Sequence, residues 1–246
     1  MKITVVIPTY NEAENLPKLV DALFALPLPD LSLLVVDDNS PDGTGDLAEK
    51  LATETGGRVH VLHRPGKMGL GSAYIQGFNR ALVLGAEAIC QMDADFSHPP
   101  EKILELVKAL EHTDVAIGSR YVRGGKLDER WPAWRKGLSA FGNLYARTIL
   151  GLPLRDVTGG FRLWRSTVLR RLPLERVKSN GYVFQVEMAY LVHLLGFKTT
   201  EIPIYFADRR WGQSKMSLRI QLEAAYRTWL LLFWYSDLRN KRPLEN

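Results

Sequence analysis

The chain opens with Met1-Lys2-Ile3-Thr4-Val5-Val6-Ile7, a run rich in β-branched residues that predicts a buried strand. Four further short apolar runs follow within the first 120 residues, and an amphipathic stretch separates each run from the next. This alternation is typical of repeated β-α-β units. The predicted strands are residues 2–7, 31–37, 59–63, 88–92 and 115–118, and the predicted helices are residues 13–26, 44–53, 72–84 and 100–110.

Repeated β-α-β units predict an α/β fold, in which helices flank a mostly parallel sheet. Right-handed crossovers bring the carboxyl ends of the strands to one edge, where such sheets bind their ligands. After residue 121 a basic stretch replaces the alternation, and helices at 138–150 and 184–195 and a strand at 198–206 are predicted beyond it. We see no second domain with a core of its own.

Composition excludes several classes of protein. The 246 residues are 46% hydrophobic and 24% charged, as in globular proteins and unlike disordered chains. The longest stretch without a charged residue, 68–79, has 12 residues, whereas a membrane-spanning helix needs about 20. The N-terminus lacks the cleavage site of a signal peptide. A single cysteine, Cys90, excludes an intramolecular disulfide, and we expect a cytoplasmic protein.

Charge is distributed unevenly along the chain. Residues 1–119 carry a net charge of −8, residues 120–180 carry +10, and residues 181–246 carry +3. A concentrated basic segment indicates an anionic partner, which composition leaves open among nucleic acid, a phosphorylated small molecule and a lipid surface. The acidic first half and the lack of a recognition motif argue against nucleic acid.

Paired carboxylates follow the fourth predicted strand, in Gln91-Met92-Asp93-Ala94-Asp95. Residues two apart in an extended segment share a face, so Asp93 and Asp95 present their carboxylates together. Hard oxygen ligands of this kind suit Mg²⁺ or Mn²⁺, which complete their coordination with substrate phosphates. The alternative is that Asp95 or Ser97 caps a helix without a metal.

Two other predicted strands end in polar residues at the same edge. Asp37-Asp38 offers a carboxylate for a ribose hydroxyl or a base, Tyr10 is suited to stack on a base, and Asn11 is placed to cap a helix. Turn and cap chemistry explains each of them singly, but their convergence favours a binding site.

The stretch Lys67-Met68-Gly69-Leu70-Gly71-Ser72-Ala73 resembles a phosphate loop only weakly. It lacks the Gly-Lys-Ser/Thr ending of nucleoside-triphosphatases. We interpret its glycines as allowing a helix to pack closely on the sheet.

The last predicted helix, 218–238, changes character along its length. It starts amphipathic, with Arg219, Glu223 and Arg227 at i, i+4 spacing, and becomes apolar all round through residues 229–235 before the basic Arg239, Lys241 and Arg242. Aromatic residues beside cations indicate an interfacial membrane helix or a docking surface for a membrane partner. A terminal helix packed on the core is the alternative.

Five motifs carry a resemblance to a known family. They are Val6-Ile7-Pro8-Thr9-Tyr10-Asn11-Glu12, Val36-Asp37-Asp38-Asn39-Ser40-Pro41-Asp42-Gly43-Thr44, Met92-Asp93-Ala94-Asp95-Phe96-Ser97-His98-Pro99-Pro100, Gly118-Ser119-Arg120-Tyr121 and Gly212-Gln213-Ser214-Lys215. In this order they resemble the family-2 inverting glycosyltransferases of the GT-A fold, and within that family the polyprenyl-phosphate (dolichyl-phosphate) mannosyltransferases. The resemblance divides the chain into a catalytic domain, 1–217, and a C-terminal docking helix with a basic tail, 218–246.

The resemblance implies a reaction and a set of site residues. A sugar passes from GDP-mannose to a polyprenyl or dolichyl monophosphate with inversion at the anomeric carbon. The nucleotide is expected to bind Pro8, Tyr10, Glu12, Val36 and Asp38. Asp93 and Asp95 are expected to bind Mg²⁺ or Mn²⁺, with Ser97 where some relatives have a Gln ligand. The substrate phosphates are expected to bind Arg120, Arg135, Ser139, Arg209 and Lys215, and the residues expected to act in catalysis are Asp95, Arg120, Arg209 and Lys215.

The sequence leaves other functions open. The sugar could be glucose from a UDP-sugar, and the acceptor could be a glycan hydroxyl, which would need a general base. A nucleotide-sugar-binding protein without turnover is a further alternative. Because the lipid acceptor stays in the bilayer, we expect peripheral association with the cytoplasmic face of the membrane, directly or through a small membrane subunit.

Overall fold

The computed structural model describes residues 1–208 and 218–239, with side chains omitted at 218–221. The strands are β1 (Ile3–Thr9), β2 (Leu31–Asp37), β3 (Val59–His63), β4 (Ala88–Gln91), β5 (Val115–Ser119), β6 (Lys126–Leu127), β7 (Arg162–Arg165), β8 (Thr199–Pro203) and β9 (Tyr205–Phe206). The helices are α1 (Leu16–Phe24), α2 (Thr44–Glu54), α3 (Leu70–Val83), α4 (Ile103–Leu110), α5 (Ala133–Leu150), α6 (Ser166–Arg171), α7 (Gly181–Leu194), α8 (Leu218–Trp234) and α9 (Ser236–Arg239).

A seven-stranded sheet in the order β3-β2-β1-β4-β7-β5-β8 forms the centre of the fold. Its strands pair in parallel except β7, which runs antiparallel to both β4 and β5. The predicted mostly parallel α/β sheet is therefore confirmed. The reversed strand has a consequence for the site, because the loop that precedes β7 lies at the same edge as the loops that follow the parallel strands.

Apolar residues cover both faces of this sheet, which explains why its strands read as continuous hydrophobic runs. Val6 and Val36 belong to a cluster with Tyr74 and Trp164. Their chain neighbours point the other way, into a second cluster built on α1 and α4.

Two sequence-based boundaries are wrong. The predicted strand 198–206 is divided, because β8 pairs with β5 whereas β9 pairs with β6 in a separate two-stranded sheet. The predicted helix 138–150 begins earlier, at Ala133 directly after Pro132. Polar and glycine residues in its first turns interrupt the helical spacing of apolar residues, so the sequence pattern does not show the start of the helix.

The glycines in 67–73 do not pack a helix on the sheet, contrary to the prediction from the sequence. A Cβ on Gly71 would overlap the Ser179 carbonyl oxygen, and one on Gly69 would lie 2.6 Å from Asn180 Oδ1, so these glycines admit a neighbouring loop rather than the sheet. The glycine that lets α3 approach the sheet is Gly77. A Cβ there would overlap Val6 Cγ1 of β1.

We predict that Gly77→Ala destabilises the protein. The added methyl group has no space, and overpacking a core costs about 1–3 kcal/mol, more than the helix propensity gained. Gly142→Ala in α5 is the matched control, because a Cβ there meets nothing within 4 Å. It is expected to stabilise by about 0.5–1 kcal/mol. Urea denaturation of both variants checks this, and equal midpoints would contradict the packing explanation.

Candidate functional site

The loops that follow β1, β2 and β4 share an uncommon backbone conformation. Asn11, Asn39 and Phe96 have φ of 63°, 57° and 61°, and they are the only non-glycine residues with positive φ among those the structure describes. Such conformations cost of order 1–3 kcal/mol for residues other than glycine and concentrate at functional sites. All three lie at the edge where the sequence predicts ligand binding.

Asp37 and Asp38, at the end of β2, have different partners. Asp37 accepts hydrogen bonds from Thr9 Oγ1 (2.9 Å) and from the amide and hydroxyl of Ser40, so it holds the loop together. Asp38 pairs with Arg64 Nη1 at 2.8 Å. Burial raises the pKa of Asp38, although Arg64 and a hydrogen bond from the Met68 amide oppose the rise. Asp37 is therefore committed to its own loop, and Asp38, which Arg64 holds, is the one of the two carboxylates that a ligand can still contact.

The other residues expected around a nucleotide lie beside Asp38. Pro8 and Val36 are paired in register across β1 and β2. Tyr10 is 37% exposed, and the Lys67 ammonium lies 3.9 Å from its ring centroid. The Glu12 carboxylate accepts a hydrogen bond from Asn15 Nδ2 at 2.8 Å. The structure thus brings these five predicted residues to one region of the edge.

Asp93, Asp95 and Ser97 lie in the loop that follows β4. Tyr74, which is fully buried on α3, donates its hydroxyl to Asp93 Oδ1 at 2.7 Å. The Ser97 amide donates to Asp95 Oδ1 at 3.0 Å. Ser97 Oγ is buried and has no hydrogen-bond partner among the described residues. The loop therefore presents two carboxylates with a hydroxyl whose bonding capacity is unused.

His98 supports the loop that follows β4. Its Nδ1 accepts a hydrogen bond from the Asp93 amide at 3.1 Å, which places the ring proton on Nε2. Its ring stacks on Phe161, with 5.1 Å between the centroids. Burial lowers the pKa of His98 despite the two nearby aspartates, so the imidazole is neutral at pH 7. The sequence pattern predicts no role for this histidine.

Arg120, directly after β5, forms a buried ion pair with Asp156. Its Nε and Nη2 donate to the two carboxylate oxygens at 2.8 and 2.7 Å, and its amide donates at 3.0 Å. Burial alone would lower the pKa of Arg120, but Asp156 raises it above the ordinary value. Burial would likewise raise the pKa of Asp156, and Arg120 holds it below the ordinary value. Both groups are therefore charged at neutral pH.

Arg135 and Ser139 lie one turn apart on the inward side of α5. Arg135 stacks on Trp131 with 3.6 Å between its guanidinium carbon and the ring centroid, and its Nη1 lies 3.4 Å from Asp208 Oδ1. Ser139 Oγ and Tyr121 Oη are 2.7 Å apart. Tyr121 follows Arg120 in the chain, so α5 faces the Arg120 region. Arg209 and Lys215 lie outside the described residues.

Three supporting residues escaped sequence analysis, namely Arg64, Tyr74 and Asp156. Arg64 and Tyr74 hold Asp38 and Asp93, and Asp156 holds Arg120. The one signal for Asp156 is its place in Asp156-Val157-Thr158-Gly159-Gly160, a turn-forming stretch before a strand. If the strand after this turn is taken as parallel to the others, the turn lies at the opposite edge of the sheet. The sequence pattern therefore does not bring Asp156 to Arg120.

The loop after β4 fits a divalent cation by its donor chemistry. Asp93, Asp95 and Ser97 supply oxygen ligands, which Mg²⁺ and Mn²⁺ prefer. Residues 1–208 and 218–239 contain no group of three His, Cys, Asp or Glu placed to hold a metal. Two carboxylates suffice only if substrate oxygens and water complete the coordination, as is usual for Mg²⁺ at phosphate-binding sites.

Comparison with known proteins identifies the family. Residues 4–172 match the family "Glycosyl transferase family 2". The chain belongs to glycosyl transferase family 2. The undecaprenyl-phosphate mannosyltransferase of Micrococcus luteus is 46% identical over 99% of the chain and 100% of its own length. The polyprenol monophosphomannose synthase of Mycolicibacterium smegmatis is 47% identical over 87% of the chain and 80% of its own length.

Solved structures support the fold of this family 2 transferase. A mannosyltransferase from Pyrobaculum calidifontis, solved in complex with GDP-Man and Mn²⁺, superposes with a TM-score of 0.63. The two are 18% identical, and the match covers 98% of this chain and 65% of the other. The likeness confirms the predicted GT-A fold.

We predict that Asp156→Asn destabilises this transferase by about 3–5 kcal/mol, because it removes the charge that compensates a buried guanidinium. Glu223→Gln is the matched control, since it removes one carboxylate from the exposed ion pair with Arg227. Exposed pairs contribute little, so its unfolding midpoint should stay close to that of the wild type. Similar shifts for both variants would contradict the importance of the buried pair.

Proposed function

We propose that the protein transfers mannose from GDP-mannose to a polyprenyl (dolichyl) monophosphate with inversion at the anomeric carbon. The observation that carries the proposal is the 46% identity over the full length of the Micrococcus luteus undecaprenyl-phosphate mannosyltransferase. The clustering of Asp38, Asp93 and Asp95 with Arg120 at one edge of the sheet supports it. Residues 1–217 form the proposed catalytic domain and residues 218–246 the proposed docking segment.

The acceptor needs no general base. A phosphate monoester has a second pKa near 6, so it is already an anionic nucleophile at neutral pH. The protein must therefore align the two substrates in line and stabilise the leaving diphosphate. We assign Arg120, Arg135, Ser139, Arg209 and Lys215 to the binding of the phosphate oxygens. Pro8, Tyr10, Glu12, Val36 and Asp38 are the proposed nucleotide contacts.

Asp93, Asp95 and Ser97 are the proposed ligands of Mg²⁺ or Mn²⁺. A divalent cation bound there supplies charge neutralisation for the leaving diphosphate. Tyr74 fixes the orientation of Asp93 by its hydrogen bond to Oδ1. The buried Ser97 hydroxyl supports the assignment, because a buried polar atom without a partner is costly.

Two helices expose the surface that we propose for membrane association. Seven of the fourteen exposed large hydrophobic side chains described in the structure lie on α5 and α8. They are Trp134, Phe141 and Leu144 on α5, and Leu222, Tyr226, Trp229 and Phe233 on α8. Trp229 Nε1 donates to Tyr145 Oη at 3.0 Å, which joins the two helices. We call these seven side chains the membrane-contact surface.

The C-terminal helix combines the two alternatives that the sequence leaves open, since one side packs on the core and the other side is exposed. Leu231 and Tyr235 are 0% and 1% exposed within the core, whereas Tyr226 and Phe233 are 65% and 72% exposed. Within residues 1–208 and 218–239 no helix is both long and apolar enough to cross a membrane. The exposed side of α8, followed by the basic Arg239, Lys241 and Arg242, suits the interface of an anionic bilayer. Contact through a small membrane subunit would use the same surface.

The decisive experiment measures transfer of radiolabelled sugar from GDP-mannose, and in parallel from UDP-glucose, to a short polyprenyl phosphate, with and without EDTA. Metal-dependent formation of an organic-extractable mannolipid is expected. A product from UDP-glucose alone would assign another donor. Nucleotide-sugar binding without transfer to the lipid or to soluble glycans would favour a protein without turnover.

We predict that Asp95→Asn abolishes metal-dependent transfer while the protein stays folded. Asparagine keeps the shape and an acceptor for the Ser97 amide but loses the charge that binds a divalent cation. Circular dichroism checks the fold, and transfer rates are measured over a range of Mn²⁺ and Mg²⁺ concentrations. An unchanged rate with unchanged metal dependence would remove the metal role of this loop.

We predict that Tyr226→Ser combined with Phe233→Ser weakens binding to vesicles that contain phosphatidylglycerol. Each of these exposed aromatic side chains contributes about 1.5–3 kcal/mol when a bilayer buries it, so loss of both is expected to weaken partitioning by at least about tenfold. The control is Val83→Ser, since Val83 is 75% exposed at the far end of α3. Vesicle cosedimentation measures the effect, and equal binding by all variants would contradict the assigned surface.

A further inference from the structure

Residues 176–180, which we call the bridging segment, contact the end of the C-terminal helix. Arg176 pairs with both carboxylate oxygens of Asp237 at 2.8 and 2.9 Å and donates to the Trp234 carbonyl at 2.8 Å. The Lys178 ammonium lies 5.3 Å from the centroid of the Trp234 ring. The bridging segment is thus attached to the residues that end α8 and begin α9.

A buried carboxylate on α7 completes this attachment. Glu187 is 0% exposed and accepts hydrogen bonds from the amides of Ser179 (2.9 Å) and Lys178 (3.3 Å). It also accepts one from Tyr235 Oη at 2.7 Å, and Tyr235 is itself 1% exposed. Hydrogen bonds to a buried charge are strong, and leaving one unmade is costly. Tyr235 and the bridging segment are therefore held by the same carboxylate.

The opposite side of the bridging segment packs on the first turn of α3. A Cβ at Gly71 would overlap the Ser179 carbonyl oxygen, and one at Gly69 would lie 2.6 Å from Asn180 Oδ1. Gly69 has a φ of 97°, which only glycine adopts readily. A larger residue at Gly71 would displace the backbone of the bridging segment, and one at Gly69 would displace the Asn180 side chain.

This turn is bonded to the proposed nucleotide site. Arg64 Nη1 lies 2.8 Å from the Asp38 carboxylate. Arg64, which pairs with Asp38, also donates from Nη2 to Ser72 Oγ at 2.6 Å. Asp38 therefore depends for its position on a turn that the bridging segment supports.

We propose that Tyr235 and Glu187 are positioning residues for donor binding, acting through the bridging segment and the Gly69–Gly71 turn on Asp38. This role rests on the proposed function, because it takes Asp38 as a nucleotide contact. It follows that the inner side of α8 supports the donor site, while its outer side belongs to the membrane-contact surface. The affinity for the donor is then linked to the packing of α8 on the core.

Tyr235→Phe tests the proposal, with Tyr190→Phe as its matched control. Both remove one hydroxyl from buried tyrosines whose ring centroids are 6.5 Å apart. The Tyr190 hydroxyl has no hydrogen-bond partner among the described residues, so its removal should leave the protein unchanged. Tyr235→Phe should raise the KM for GDP-mannose by roughly threefold to tenfold, because the lost bond is to a charged group, with little change in kcat.

Hydrogen exchange provides a readout that does not depend on the reaction. Tyr235→Phe should accelerate exchange of the amides in both 176–180 and 67–73, and Tyr190→Phe should accelerate neither. Acceleration confined to 176–180 would overturn the proposal, even if the protein transfers another sugar. Acceleration in both segments without a change in KM would mean that the two segments are linked but that Asp38 does not bind the donor.

Three further variants keep the test decisive. Glu187→Gln retains an acceptor and should show a smaller rise in KM than Glu187→Leu, with both values measured on fully folded protein so that a loss of stability does not produce that order. Gly71→Ala displaces the contact between the Gly69–Gly71 turn and the bridging segment from the α3 side. Its effect on KM should be less than additive with that of Tyr235→Phe, since both act on one contact. Full additivity would overturn the proposed path.

Discussion

One reversed strand determines where the charges of the site meet. Because β7 runs antiparallel between β4 and β5, the loop that carries Asp156 lies at the carboxyl edge of the parallel strands. With β7 parallel, Asp156 would lie at the far edge, and Arg120 would be buried after β5 without a carboxylate. An uncompensated buried charge costs several kcal/mol. The orientation of this short strand is therefore what makes a buried arginine tolerable at the site.

The same edge brings together the two oppositely charged parts of the chain. Asp38, Asp93 and Asp95 come from the first 119 residues, with a net charge of −8, and Arg120 and Arg135 come from the segment with +10. The structure pairs some of these charges internally, since Arg64 neutralises Asp38 and Asp156 neutralises Arg120. Asp93 is instead oriented by a neutral hydroxyl, that of Tyr74. Such a carboxylate keeps its full charge for a ligand.

Much of the fold was predictable, because alternating apolar runs and strand-end polar residues are local signals. The parallel strands from β1 to β5 and the convergence of Tyr10, Asp38 and Asp93 follow from them. The partners of these residues were not predictable. Tyr74 meets Asp93 and Asp156 meets Arg120 only through tertiary packing, which spacing in the sequence does not encode. The family resemblance predicts which residues touch substrate and predicts nothing about the residues that hold them.

The two-sided character of α8 constrains how the protein can meet a membrane. Leu231 of α8 and Tyr235, which directly follows α8, are buried in the core, so α8 cannot separate as a flexible anchor. The proposed contact through its outer side would therefore orient the whole molecule. On α5, successive residues are about 100° apart around the axis, which places Arg135 and Ser139 on the side away from Trp134 and Phe141. Suppose that the acceptor lipid enters the bilayer beneath the proposed membrane-contact surface. Its phosphate then has to pass only one helix, α5, to reach Arg135 and Ser139. The proposed acceptor site and the proposed docking surface are then two sides of one rigid element.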